Sequence, residues 1–177
     1  MDVEDWYHLD YFKESQCVKN HNMLDGVDKY CEILEHYDIP SSFFVVGDIL
    51  KNNRFLINKL KNNKNDIGSH GWSHKRPITL NMKTFQYELE KSKDVLENTF
   101  GKSIEGFRAP CFSMDRKRLD EVKAAGYLFD SSRISFNSHP LYETLDVNGF
   151  EKINDSIYKL DNFFEFEVTT SKFLKKR

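Results

Sequence analysis

Several things are scarce in this 177-residue sequence, and each scarcity excludes something. No apolar run approaches the ~20 residues that a membrane-spanning helix requires. Acidic residues begin at Asp2, which is foreign to a secretory leader. The three cysteines, Cys17, Cys31 and Cys111, are odd in number and show no paired spacing. No disulfide framework is therefore expected, and the setting read from the sequence is reducing and cytoplasmic. A surplus of either charge is also missing. Twenty-six Lys and Arg against 28 Asp and Glu leave a net charge of −2, which gives no reason to expect nucleic acid or an anionic membrane as partner. The cationic stretch from Lys172 to Arg177 is read as a solvated tail, and there is no internal repeat or low-complexity linker.

What the chain does have is apolar and aromatic substance. Hydrophobic residues make up 39% and aromatics 14%, enough for one globular domain over residues 1–177. Short apolar runs alternate with amphipathic stretches. Met1 to Asp5 reads as a strand. Leu24 to Tyr37 reads as a helix with Leu24, Val27, Cys31 and Leu34 on one face and Tyr30 flanking it. Ser42 to Val46 reads as a buried strand. A second helix, capped by Asp48 or Asn52, carries Phe55, Leu56 and Leu60 inward. Lys83 to Phe100 repeats the helical spacing and stops at Gly101. Ile104 to Arg108 is a strand, and Met114 to Ala125 a helix with Leu119, Val122 and Ala125 inward and Gly126 as C-cap. Tyr127 to Phe129 is a further strand, and Val147 to Ile153, Ser156 to Leu160 and Phe163 to Thr169 are short β segments. Such alternation predicts an α/β fold with parallel strands covered by helices, as in a (β/α) barrel.

In such barrels chemistry gathers where strands end, and four strand ends here carry capable residues. His70 and His74, in His-Gly-Trp-Ser-His, stand four apart, and on a helical turn both imidazoles reach one ion. Two neutral imidazoles and one carboxylate suit Zn²⁺ or another first-row divalent ion. The carboxylate would come from Asp2-Val3-Glu4-Asp5, where Asp2 and Glu4 point the same way along an extended chain and Asp5 the other. Arg108, between a strand and Pro110, is placed to hold a carboxylate ionised. Taken singly, each cluster has a plainer reading: hydrogen-bonded core histidines, a frayed acidic terminus, a surface arginine, and an Asx-turn at Asp130-Ser131-Ser132.

Together and in order, Asp-Val-Glu-Asp, His-Gly-Trp-Ser-His, Phe-Arg-Ala-Pro and Phe-Asp-Ser-Ser resemble the polysaccharide deacetylase family of metal-dependent carbohydrate esterases. The resemblance runs from residue 2 to about residue 170. Asp-Val-Glu-Asp-Trp-Tyr-His looks most like a bacterial subgroup associated with exopolysaccharide and surface-polysaccharide synthesis. The resemblance implies an irregular (β/α) barrel, and hydrolysis of N-acetyl groups from the amino sugars of a polysaccharide, an oligosaccharide or its precursor. It makes Asp2 the catalytic base, and His70, His74 and either Glu4 or Asp5 the ligands of a divalent metal, with Zn²⁺ favoured. Arg108 matches the residue that orients the base, the backbone N–H of Cys111 the oxyanion donor, and Asp130 a residue lining the pocket.

One part of the pattern departs. The family carries a late histidine as general acid, and here only His139, in Ser138-His139-Pro140, follows the His-rich loop, nine residues after Asp130. The barrel is also expected to be incomplete at both ends, with a second polypeptide that completes it as one explanation. Two other readings stay open. One is hydrolysis of another non-peptide amide, such as a cyclic imide or an allantoin-like compound. The other is a catalytically impaired carbohydrate-binding or assembly module.

Overall fold

The computed structural model describes residues 1–9, 12, 24–61, 64–135 and 139–170. Cys17, Ser138 and the Lys172 to Arg177 stretch lie outside the described residues. One eight-stranded sheet organises the chain, in the order β1-β2-β3-β4-β5-β8-β7-β6. The strands β1 (Asp2–Val3), β2 (Ser42–Val45), β3 (Asp66–Ser69), β4 (Gly106–Phe107) and β5 (Phe129–Asp130) pair in parallel, and β8 (Phe163–Phe166) joins β5 in the same sense. Two antiparallel strands, β7 (Ile157–Leu160) and β6 (Glu151–Lys152), finish the sheet.

Between the parallel strands run α1 (Asp25–His36), α2 (Arg54–Leu60), α3 (Met82–Phe100) and α4 (Arg116–Ala124). These sit close to the helices expected from periodicity. Leu24, Val27, Cys31 and Leu34 of the α1 stripe are buried, as are Phe85, Leu89 and Leu96 of α3 and Leu119 and Val122 of α4. They pack on the helix-facing side of the sheet against Val3, Phe43, Val45, Ile67 and Phe107. Two local expectations fail. The N-cap of α2 is Asn53, whose side chain accepts the Leu56 N–H, rather than Asp48 or Asn52. Phe55 is 52% exposed, because a helix of seven residues presents only Leu56 and Leu60 to the core.

Strand alternation sends the other residues to the opposite face. There the register aligns Asp2 with Phe44, Phe44 with Gly68, and Gly106 with Phe129. The rings of Phe44 and Phe129 meet edge to face at 6.4 Å, and Phe129 meets Phe166 at 5.4 Å. A cavity of about 510 Å³ opens on this face, lined in part by Met1, Phe44, Arg108, Phe129 and Phe166. The two glycines are what let these rings lie across the sheet. A Cβ on Gly68 would come within 2.6 Å of Phe44 Cδ1, and one on Gly106 within 2.2 Å of Phe129 Cζ. Gly106→Ala is therefore expected to destabilise the fold by about 1–3 kcal/mol, the usual cost of overpacking, read as a lowered urea midpoint. An unchanged midpoint would show that the rings do not constrain this face.

Candidate metal centre

The residue row directly above the phenylalanines holds the chemistry. Continuing β1, β3, β4 and β5 by one or two residues on the same face reaches Glu4, His70, Arg108 and Ser131. The ladder continues through His70 N–H to Val45 O, Arg108 N–H to Ser69 O and Ser131 N–H to Phe107 O, each 2.9 Å. Glu4 and Asp2 share a face because they are two residues apart on one strand. Asp5, the other candidate ligand, is turned away. Its carboxylate accepts the Trp6 N–H at 2.8 Å and caps the 3-10 turn Trp6–His8. Glu4, not Asp5, is the carboxylate brought to the imidazoles: among the described residues, Glu4, His70 and His74 offer ligand atoms that all lie within 4.8 Å of one another.

His70 and His74 reach this position without the helical turn that their spacing suggested. His70 follows directly on β3, and the chain then turns through Gly71 at φ +76° and His74 at φ +58°. Only glycine adopts the first of these at little cost. The second is a left-handed histidine, a local strain held by its surroundings. The two rings finish 5.0 Å apart, and both are buried.

Hydrogen bonding fixes which nitrogen each ring presents. His70 Nδ1 lies 2.8 Å from Arg108 O, and His74 Nδ1 lies 2.8 Å from His8 O. A carbonyl oxygen only accepts, so both Nδ1 atoms carry the proton and both Nε2 atoms turn inward. That second-layer arrangement is the usual preparation of histidine for a metal. Burial lowers the pKa of His70, which keeps its Nε2 a lone-pair donor. Burial pushes Glu4 up, yet the hydrogen bond and charge of His74 outweigh it and hold Glu4 below the usual carboxylate range. His74 Nε2 stands 2.5 Å from Glu4 Oε2, a contact that needs a proton between two acceptors. A divalent cation meets the same need and draws in His70 Nε2 as well, so the donor set fits such an ion.

Asp2 sits beside this centre, 4.0 Å from His70 Nε2. Its Oδ1 accepts from Arg108 Nη1 at 2.8 Å. Burial pushes the Asp2 carboxyl up, but the charge and hydrogen bond of the Arg108 guanidinium pull it down, so Asp2 stays ionised at neutral pH. Arg108 is itself clamped: its Nε donates to Ser131 O at 2.8 Å, its Nη2 to Ser131 Oγ at 2.7 Å, and its guanidinium carbon lies 4.2 Å from the Phe44 ring centre. Cys111 follows in the 3-10 turn Pro110–Phe112, where Cys111 (φ +54°) and Phe112 (φ +49°) are both left-handed.

Asp130 does not line the open face. It is fully buried on the helix-facing side, because strand alternation gives Ser131 to the cleft and Asp130 to the core. His139 stacks on Tyr142 with ring centres 3.7 Å apart, and Tyr142 in turn packs against Phe112. A residue that sequence spacing did not single out is Glu88 of α3. Its buried carboxylate accepts the N–H groups of Trp72 (3.1 Å) and Ser73 (2.8 Å) and the Ser73 hydroxyl (2.7 Å). Ser92 assists by donating to Gly71 O at 3.1 Å and pairing with Ser69 at 2.7 Å. The signal in the sequence was a charged residue beside the apolar stripe of a helix, which reads as solvent-facing.

Glu88→Ala frees the loop between the histidines and is expected to weaken Zn²⁺ or Co²⁺ binding by roughly 10–100-fold, the usual loss when an outer support is removed. Calorimetric titration with each ion measures it. Unchanged affinity in a folded Glu88→Ala protein would show that the loop holds its shape without that carboxylate.

The sequence matches the polysaccharide deacetylase family over residues 22–129. It is 22% identical over 140 residues to a peptidoglycan deacetylase of Helicobacter pylori, a match covering 79% of this chain and 45% of that protein. The fold resembles a putative polysaccharide deacetylase from Mycobacterium smegmatis, with a TM-score of 0.60 and 22% identity over 82% of this chain and 46% of that one. It also resembles a CE4 family pseudoenzyme from Bacillus anthracis, with a TM-score of 0.53 and 20% identity over 56% of this chain and 35% of that one. The chain thus spans less than half the length of these relatives. With a match across more than half of its residues, the chain belongs to the polysaccharide deacetylase family.

Proposed function

We propose that this protein is a metal-dependent hydrolase that removes N-acetyl groups from the amino sugars of a polysaccharide, an oligosaccharide or its precursor. One observation carries the reading. An ionised carboxylate, Asp2, tethered by Arg108, stands beside a carboxylate and two imidazoles whose lone pairs converge. Glu4, His70 and His74 would hold the ion, with Zn²⁺ the best match to two nitrogens and one oxygen. When bound, such an ion supplies Lewis acidity, polarising the amide carbonyl and making water more acidic.

The chain's own groups do the rest. Asp2 takes a proton from the attacking water as its oxygen bonds to the acetyl carbon. Arg108 keeps Asp2 oriented and charged until that moment. The Cys111 N–H, in the turn just past Arg108, is the donor assigned to the oxyanion, a role worth about 3–4 kcal/mol in other enzymes. Cleavage of the C–N bond then gives acetate and a free amine, once the nitrogen has gained a proton. The H. pylori relative, described as a peptidoglycan deacetylase, favours an N-acetylated amino sugar over a small cyclic amide.

A second reading, sugar binding without turnover, is favoured by the position of His139. Its ring is stacked on Tyr142, which packs on Phe112, and it is not a member of the ligand cluster. Acetate release from N-acetylated chitooligosaccharides and peptidoglycan, assayed with added Zn²⁺, separates the two. The hydrolase reading expects release, and a fall of about 10²–10⁴-fold in Asp2→Asn, the span of general acid–base contributions, with metal still bound. Sugar binding with stoichiometric metal but no acetate would support the second reading instead.

A further inference from the structure

We infer that Glu165 is a positioning residue for Arg108, acting through the loop that follows β5, and so deepens the hydrolase reading on which it rests. Nothing in the sequence marks Glu165, which lies in Phe164-Glu165-Phe166 on β8. The register sets it directly opposite Asp130 on the neighbouring parallel strand, and both residues are 0% exposed. Two carboxylates facing each other away from water cannot both be charged, so the pair holds a proton. Burial pushes Asp130 up to about 6, and burial together with Asp130 pushes Glu165 well above the usual range.

An apolar pair would join β5 to β8 at lower cost, since burying ionisable groups is expensive. What the carboxyls add is acceptors aimed at the next turn. Glu165 Oε1 accepts the N–H groups of Ser132 (3.1 Å) and Arg133 (2.8 Å). Asp130 accepts the Ser132 N–H at 2.8 Å and its hydroxyl at 2.9 Å. The Ser132 oxygen in turn accepts the N–H of Ala109, the residue after Arg108, at 2.8 Å. Held on that side, Ser131 presents its carbonyl and hydroxyl to the guanidinium, and the hydroxyl completes its bonding by donating to Phe166 O at 2.9 Å. One strand, β8, thus supplies acceptors to both sides of the clamp. Glu165 touches neither Asp2 nor the ligand cluster; it acts on them only through Arg108.

The test is the Arg108 Nε–H signal in ¹⁵N NMR, assigned by its loss in Arg108→Lys and read in Glu165→Ala, Glu165→Asp and Glu165→Gln. In the native protein that N–H, bonded to Ser131 O, gives a protected, slowly exchanging signal. Glu165→Ala and the shortened Glu165→Asp are expected to lose the protection, while Glu165→Gln, which keeps an acceptor oxygen, retains it. Zn²⁺ affinity stays unchanged throughout. Acetate release falls by roughly 10²-fold in kcat with little change in KM, as for a group displaced by about 1 Å. If Glu165→Ala fails to fold, Glu165→Asp decides by the same signal. A protected Arg108 Nε–H in a folded Ala or Asp variant overturns the inference. So does its loss in Glu165→Gln. Absence of acetate release from the native protein would instead count against the hydrolase reading, with the NMR signal still deciding the role of Glu165.

Discussion

Two carboxylates, Asp2 and Glu4, leave the same face of one edge strand only two residues apart, and the cation that makes this tolerable is Arg108. Its guanidinium joins β1 to β4 and β5 by bonding Asp2 on one side and Ser131 on the other, while its face lies on Phe44. Planar and always charged, an arginine can meet all these partners at once, which a lysine cannot. With the charge of Asp2 balanced by the guanidinium, Glu4 is left for the imidazoles. The division of labour proposed between base and ligand thus follows from one ion pair and from the two-residue repeat of a strand.

The same repeat separates the two faces of the sheet. Val3, Phe43, Val45, Ile67 and Phe107 anchor the helices, and the alternate residues carry the aromatic floor and the polar row above it. The floor depends on glycine at two adjacent strands, because no side chain fits beneath Phe44 or Phe129. The polar row depends on acceptors supplied from behind the sheet: Glu88 below the histidine loop, and Asp130 with Glu165 below the arginine clamp. Buried carboxyls here serve backbone N–H groups that the turns leave unpaired in the helices and strands themselves.

Much of this was legible in the sequence. Leu24, Val27, Cys31 and Leu34 recur at helical spacing, and that pattern found α1 within a residue or two. Alternation along a strand puts Glu4 on the face of Asp2, although the sequence leaves Asp5 open as the ligand. The illegible parts share a cause: they depend on partners distant in the chain. His70 and His74 meet through left-handed backbone that a loop closed on α3 imposes, not through a helix. Glu88 and Glu165 bond N–H groups 15 to 33 residues away, and no local pattern encodes that. Asp130, grouped with the pocket by its position at a strand end, turns inward because Ser131 takes the outward place. Phe55 is exposed because α2 is too short for a wider apolar stripe.

The proposed hydrolysis depends on one divalent ion held by Glu4 and the Nε2 atoms of His70 and His74. Anomalous diffraction at the zinc absorption edge, from crystals of the protein loaded with one equivalent of Zn²⁺, tests it most directly. The expected result is one anomalous peak, bonded to those three side chains with Asp2 beside it and uncoordinated. A peak at Asp5, at the Asp130 and Glu165 pair, or at surface residues with none between the two histidines would contradict it.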